Sequence, residues 1–373
     1  MTAVTGFGVF SVAGGEPRAG FHTGDDVVDL AGLGDVFRRP SLNAFMAQGP
    51  AAWDDALARA LDGGLPRVPL AEATLHLPFE VADYADFSSS LEHAENMGRL
   101  FRPAWDFVHP NWRWLPIAYH GRAGTIVVSG TDVVRPRGEL RPADGEAPEY
   151  GPTRRLDIEL ELGFVVGVPS APGRPVPVDA FADHVFGAVL LNDWSARDVQ
   201  AWESVPLGPF LGKSFLTSIS AWVTPLALLE PHRVEAPPQD PPPLPHLAGG
   251  RDWALDLDLE VELNGAVVSR GNARGLYWTP PQQLAHATAN GASLRTGDLM
   301  GTGTISGRER GSEGSLMELT RAGAEPVRLP DGSERSFLED GDEVALRARA
   351  GELELGEVRG RVVPAESGPA PGS

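Results

Sequence analysis

The chain contains no cysteine, which excludes disulfides, thiolate nucleophiles and cysteine-ligated zinc or iron–sulfur centres. Basic charge is scarce as well. Lys and Arg number 31 against 51 Asp and Glu, a formal net charge of −20 at pH 7. Nucleic acids and anionic membranes call for a basic surface, so neither is expected as a partner. No apolar run approaches bilayer-spanning length, and the opening MTAVTGFGVFSVAGG lacks the basic-then-apolar pattern of a signal peptide. The expected setting is cytoplasmic. Lysine is almost missing: Lys213 is the only one, and every other basic side chain, histidine aside, is arginine. A single lysine in a glycine-flanked segment asks for an explanation.

What is present is enough for a sizeable core. The 373 residues, 42% of them hydrophobic, suit two domains or one large domain with an accessory module. With 44 Gly and 34 Pro, short strands and turns should outweigh long helices. Residues 1–38 read as short strands and residues 40–61 as helical, interrupted at Pro50. Together they make a small N-terminal module ending near Pro78, with no catalytic constellation of its own. A capping-box pattern of Ser89 and Glu92 predicts a helix from about Ser90 to Phe101, with His93 in its first turn and Asp86 just ahead of it. Residues 131–152 read as a surface loop, 231–246 as an extended proline-rich excursion, and Asn264-Gly265 as a hairpin turn.

The polar residues that matter lie around two apolar runs. In LDIELELGFVV, residues 156–166, a period of two puts Asp157, Glu159 and Glu161 on one strand face. On an edge strand water would screen them; beside a buried strand with an aspartate at its end, a cation is the better answer. Residues 184–191 read as that buried strand, and Asp193 follows it. A helix starting near Trp194 would stack Asp193, Arg197 and Gln200 along one edge. GPFLGKS, around Lys213, has three residues between its glycines where a phosphate-binding loop needs four, and Gly301-x-Gly303-x-x-x-Gly307 fails as a dinucleotide fingerprint. Asp86, Glu159, Glu161 and Asp193 offer carboxylates without histidine or cysteine, a donor set for a hard cation such as Mg²⁺ or Ca²⁺.

These segments resemble the fumarylacetoacetases, hydrolases of carbon–carbon bonds that end tyrosine and phenylalanine catabolism. The likeness covers nearly the whole chain. It is densest in DF-SSS-EHA-N-G-LFR (86–102), PNW-LP-YHGR (110–122), IVVSGT (126–131), LDIELELGF (156–164), NDWSARD-Q-WE-VPLGPFLGKSF (192–215) and GTISG (303–307). The resemblance implies a mainly β, α+β fold: a small SH3-like barrel over residues 1–78, then a β-roll catalytic domain over 79–373, assembled as a homodimer. It implies a divalent-cation site of Asp86, Glu159, Glu161 and Asp193, with Lys213 and Thr217 flanking a second, weaker cation position. His93 becomes the general base that activates water, oriented by Glu318. Arg197, Gln200 and Lys213 would hold the leaving enolate and oxyanion of a small diketo-acid substrate, and Arg102, Tyr119 and Thr304 its carboxylate and carbonyl oxygens. Ser88 and Ser204 stand where the family has substrate-contacting tyrosines. Their small side chains enlarge the pocket, and leave open a different diketone or enol acid, handled by hydrolysis, decarboxylation or isomerisation.

Overall fold

The computed structural model describes residues 4–101, 108–141 and 147–366. The apolar alternation near the N-terminus forms strand Val4–Val12, which pairs antiparallel with Arg18–Thr23 on one side and Ala73–His76 on the other. Asp26–Asp29 and Arg67–Pro69 extend the Arg18–Thr23 side. The helical pattern of residues 40–61 resolves into helices Asn43–Met46 and Pro50–Leu61. Pro50 opens the second helix, where its missing N–H has no intrahelical partner to lose. These elements are fused to the rest of the chain. Phe7, Phe45 and Trp53 surround Phe186 at ring distances of 5.6, 5.5 and 5.3 Å, and Phe7 pairs with Val223 in the backbone ladder.

Strands from the runs 156–166 and 184–191, buried on both faces, supply the middle of a mixed sheet. Its order is Ala118–His120, Tyr84–Phe87, Leu299–Gly301, Leu160–Val166, Val185–Asp193, Thr217–Ile219 and Ile126–Val128. A second antiparallel sheet, Ala266–Asn272, Asp258–Leu263, Glu343–Ala350 and Leu353–Val363, turns at Asn264-Gly265 as the sequence predicts. Leu259, Val261, Leu346, Leu355 and Val358 of this sheet share a core with Leu162, Leu190 and Trp194 of the first. Among the described residues, no helix is long and apolar enough to cross a membrane.

Several local expectations change. The run 156–166 is not one strand. Leu156–Asp157 pairs with Ser195–Ala196, and the ladder resumes only at Leu160. Between them the Glu159 N–H goes to the Asn192 side chain at 3.0 Å, so the strict alternation of side chains is broken there. The helix expected from Trp194 starts at Arg197, because Ser195 and Ala196 are held in that short strand pair. Ser90, not Ser89, caps helix Leu91–Phe101 by accepting the His93 N–H at 3.3 Å; the Ser89 hydroxyl accepts from the Gln283 amide. Residues 131–152 contain a hairpin, Arg137–Leu140 with Glu149–Pro152, and a Cβ on Gly138 would lie 2.6 Å from Val199. The proline-rich stretch is tied down: Ala236 is buried, and the Gln239 amide donates to Gln282.

Candidate active site and cation centre

The sheet register gathers the acids. Asp86 lies opposite Gly301, Gly301 lies opposite Gly163, and Glu161 stands two residues before Gly163 on the same face. Asp193 ends the neighbouring strand, opposite Thr217. Carboxylate oxygens of Asp86, Glu161 and Asp193 consequently lie within 4.8 Å of one another, all three side chains buried. Gly301 makes the room: a Cβ there would fall 2.9 Å from Glu161 Oε2. That oxygen accepts the Gly303 N–H at 2.9 Å. Asp193 accepts Thr217 Oγ1–H at 2.9 Å on Oδ1, and Tyr119 O–H at 3.2 Å on Oδ2. Asp86 Oδ1 and Glu161 Oε1 are buried and meet no hydrogen-bond partner among the described residues.

Unmet buried carboxylate oxygens are costly. Burial, reinforced by mutual repulsion, pushes the carboxyls of Asp86 and Glu161 well above the usual range. Burial raises that of Asp193 too, although the Lys213 ammonium opposes it. Three converging hard oxygen donors, two with unmet oxygens, fit a divalent cation of the Mg²⁺ or Ca²⁺ kind.

Glu159, the fourth expected ligand, lines the same cleft and carries an ion pair on each carboxylate oxygen. Its Oε1 receives Arg197 Nη1 at 2.8 Å, and its Oε2 receives the Lys213 ammonium. Burial disfavours the Glu159 charge, but Arg197 and Lys213 outweigh it and hold the carboxyl far below its usual range. Lys213, in the short helix Leu211–Ser214, also donates to Asp193 Oδ2 at 2.6 Å. Burial works against its charge, yet Asp193 and Glu159 raise its pKa. A protonated ammonium has no lone pair to offer, so the Lys213 side chain enters this site as a cation. Thr217 likewise spends its hydroxyl hydrogen on Asp193. Asp157 leaves the face it was expected to share with Glu159 and Glu161. It grips Arg197 Nε at 2.7 Å and accepts the backbone N–H groups of Leu316 and Met317. Five buried carboxylates (Asp86, Asp157, Glu159, Glu161 and Asp193) thus face two buried cations, Arg197 and Lys213. A dication would offset most of that excess.

Beside the acids stands an imidazole. His93 Nδ1 lies 2.8 Å from Glu318 Oε2. Asn96, one turn along the same helix, donates to Glu318 Oε1 at 2.9 Å, while Ser306 and Ser315 donate to Oε2 at 3.0 and 2.7 Å. Burial opposes the Glu318 charge, but His93, Asn96 and Ser315 keep its pKa below the ordinary value. With the Nδ1 proton donated to Glu318, Nε2 is the acceptor. His93 lines a cleft of about 760 Å³ together with Asp86, Glu159, Glu161, Arg197, Gln200, Lys213, Tyr119, Thr304 and Ser88. Arg197 Nη2 is buried with no partner among the described residues, a donor in reserve.

Of the two serines, Ser88 lines the cleft, its oxygen receiving Trp112 Nε1–H at 3.2 Å. Ser204 does not: its hydroxyl turns back on the Gln200 carbonyl of its own helix. Arg102 lies outside the described residues. Sequence reasoning missed the roles of Asp157, Asn96, Ser306 and Ser315. Only Asn96 carried a signal, its three-residue offset from His93 on a predicted helix face.

Residues 83–363 match the fumarylacetoacetate (FAA) hydrolase C-terminal family and residues 6–62 the fumarylacetoacetase N-terminal family. The fumarylacetoacetase of Arabidopsis thaliana is 44% identical over 397 residues, spanning 96% of this chain and 94% of that protein. That of Homo sapiens is 43% identical, spanning 96% and 95%. Among solved structures, the fumarylacetoacetate hydrolase of Exiguobacterium antarcticum shares the fold, with a TM-score of 0.62 at 17% identity over 96% of this chain and 99% of the other. Two family models that between them take in most of the chain, and near-full-length relatives well above 30% identity, establish that the chain belongs to the fumarylacetoacetase family.

Proposed function

We propose that this chain hydrolyses the carbon–carbon bond of a 1,3-diketo acid, converting fumarylacetoacetate and water to fumarate and acetoacetate. The observation that carries this reading is His93, paired with Glu318, lining the same cleft as Asp86 and Glu161 of the buried oxygen triad. Asp86, Glu161 and Asp193 would hold a divalent cation, Mg²⁺ or Ca²⁺, which would supply Lewis-acid polarisation of the substrate. His93 Nε2 takes a proton from water as the water oxygen bonds to the carbonyl carbon. The carbon–carbon bond then breaks, and Nε2–H returns the proton to the departing carbon. Carbon is a poor leaving group unless its charge is delocalised into an enolate. Arg197 Nη2, the Gln200 amide and the Lys213 ammonium are the donors that hold it, and Tyr119 and Thr304 take the remaining oxygens.

Near-full-length identity of 43–44% favours fumarylacetoacetate over a different diketone. Around this chemistry we place residues 1–78 as an SH3-like barrel module and 79–373 as the catalytic domain, a homodimeric, cytoplasmic enzyme in tyrosine and phenylalanine breakdown. The test is His93→Ala. Fumarate release should fall at least 100-fold while cation binding, followed by calorimetry, persists. A folded, cation-loaded variant as fast as the parent would overturn the base assignment.

A further inference from the structure

The cleft has an apolar lip that the proposed chemistry does not use. After helix Arg197–Glu203 the chain makes a Pro/Gly excursion in which Pro206, Leu207, Gly208 and Pro209 border the cleft. Val205 and Leu207 are 85% and 97% exposed, and Phe210 is 61% exposed. Exposed apolar side chains on a glycine-containing loop would ordinarily sample many conformations. Within the excursion the Gly208 N–H donates to the Ser204 carbonyl at 2.8 Å, and one carboxylate closes its far end. Glu203 Oε1 accepts the N–H groups of Phe210 at 2.7 Å and Gly212 at 2.8 Å, and Oε2 accepts that of Leu211 at 2.9 Å.

The chain then runs directly into Lys213. Gly212 sits so close to the preceding helix that a Cβ would lie 2.8 Å from the Gln200 backbone nitrogen, which sets the two short helices against each other. The next side chain, Lys213, reaches between Glu159 and Asp193. The residue that closes the loop therefore also fixes where the lysine helix begins.

We propose that Glu203 is a positioning residue: its three backbone hydrogen bonds hold the Val205–Pro209 lip over the cleft and deliver Lys213 to its two carboxylates. Its role in turnover rests on the hydrolase reading above; its role in holding the lip does not. Holding the lip in place beforehand spares the substrate the ordering cost.

The test compares Glu203→Ala, which removes all three acceptors, with Glu203→Gln, whose single carbonyl keeps the Phe210 and Gly212 bonds and loses that of Leu211. Limited digestion of the full-length, cation-loaded protein with chymotrypsin reads the lip at Leu207 and Phe210, without reference to any substrate. Cleavage should quicken from parent to Gln to Ala, at an unchanged melting temperature. On fumarylacetoacetate the Ala variant should show KM raised on the order of tenfold and kcat lowered, with Gln between it and the parent. Cleavage at the parent's rate in both variants would overturn the clamp. Faster cleavage with parental KM and kcat would overturn its part in catalysis. Should Glu203→Ala not fold, the Gln variant decides both points. A parent that cleaves no diketo acid, with digestion still ordered as stated, would sink the hydrolase reading and leave the clamp standing.

Discussion

Glu161→Gln should make the cation-free protein more stable and at the same time abolish its response to divalent cations. Carboxylate oxygens of Asp86, Glu161 and Asp193 lie within 4.8 Å of one another. At an effective dielectric constant near 20, two unit charges at that distance repel by about 3.5 kcal/mol. Part of this is relieved in the parent by proton uptake, as the raised carboxyl pKa values indicate. Glutamine removes one charge from the cluster. Its carbonyl can keep the Gly303 N–H, and its amide group donates where Oε1 now has no partner. For a chain of this length unfolding entropy is about 0.8 kcal/mol per kelvin, so a gain of about 2 kcal/mol raises Tm by roughly 2–3 °C.

The sign with pH follows from the same shifts. A carboxyl whose folded pKa lies above its unfolded value costs nothing in acid, and costs progressively more as pH rises between the two values. The advantage of the variant over the chelated parent should therefore widen from acid toward neutral pH. Added cation reverses the ranking: at 100 times Kd it stabilises the parent by about 2.7 kcal/mol, or roughly 3–4 °C, and leaves the variant unmoved. Differential scanning calorimetry with chelator and with Mg²⁺ or Ca²⁺ measures all of this. A Glu161→Gln protein that melts below the chelated parent, or that gains as much from the cation, would refute the account of the triad.

Asn96→Ala strips a donor from the buried Glu318 Oε1, a loss of about 1–3 kcal/mol; kcat should fall about tenfold with KM little changed, in steady-state assays. Gly301→Ala places a methyl 2.9 Å from Glu161 Oε2 and should weaken cation binding at least tenfold by calorimetry, with fold and circular dichroism preserved. Glu318 has a depressed pKa, so its stabilising charge is fully present above the ordinary value of 4.5 and is lost as pH falls through the folded value. The Tm gap between parent and Glu318→Gln should accordingly stay constant at neutral pH and close in acid. Asp157→Asn leaves Arg197 Nε without a charged acceptor, and thermal melting should drop by several degrees.

The acids, the base and the lone lysine were legible because each stood out against its surroundings: carboxylates inside apolar runs, one histidine on a capped helix, one lysine in an arginine-rich chain. The division of labour among the carboxylates was not legible. Strand alternation assigns Asp157, Glu159 and Glu161 to one face, but the Asn192 side chain takes the Glu159 N–H and interrupts the ladder. Asp157 is left to Arg197, Glu159 to Arg197 and Lys213, and Glu161 to the triad. Helix propensity likewise said nothing of the Ser195–Ala196 pairing that delays the helix to Arg197, since that pairing is a tertiary contact. The buried strand at residues 184–191 was easier to place, because a continuous apolar run ending in a block of polar residues leaves few alternatives.

The strand that carries Asp86 touches the strand of Glu161 only through Leu299–Gly301, which lies between them. On the ribosome, then, the three acids cannot be brought to one point while the first four-fifths of the polypeptide are being made, however well those parts pack. Capture of an ion by this triad would be a late event in biogenesis, and any chain terminated ahead of that spacer leaves its carboxylates stranded.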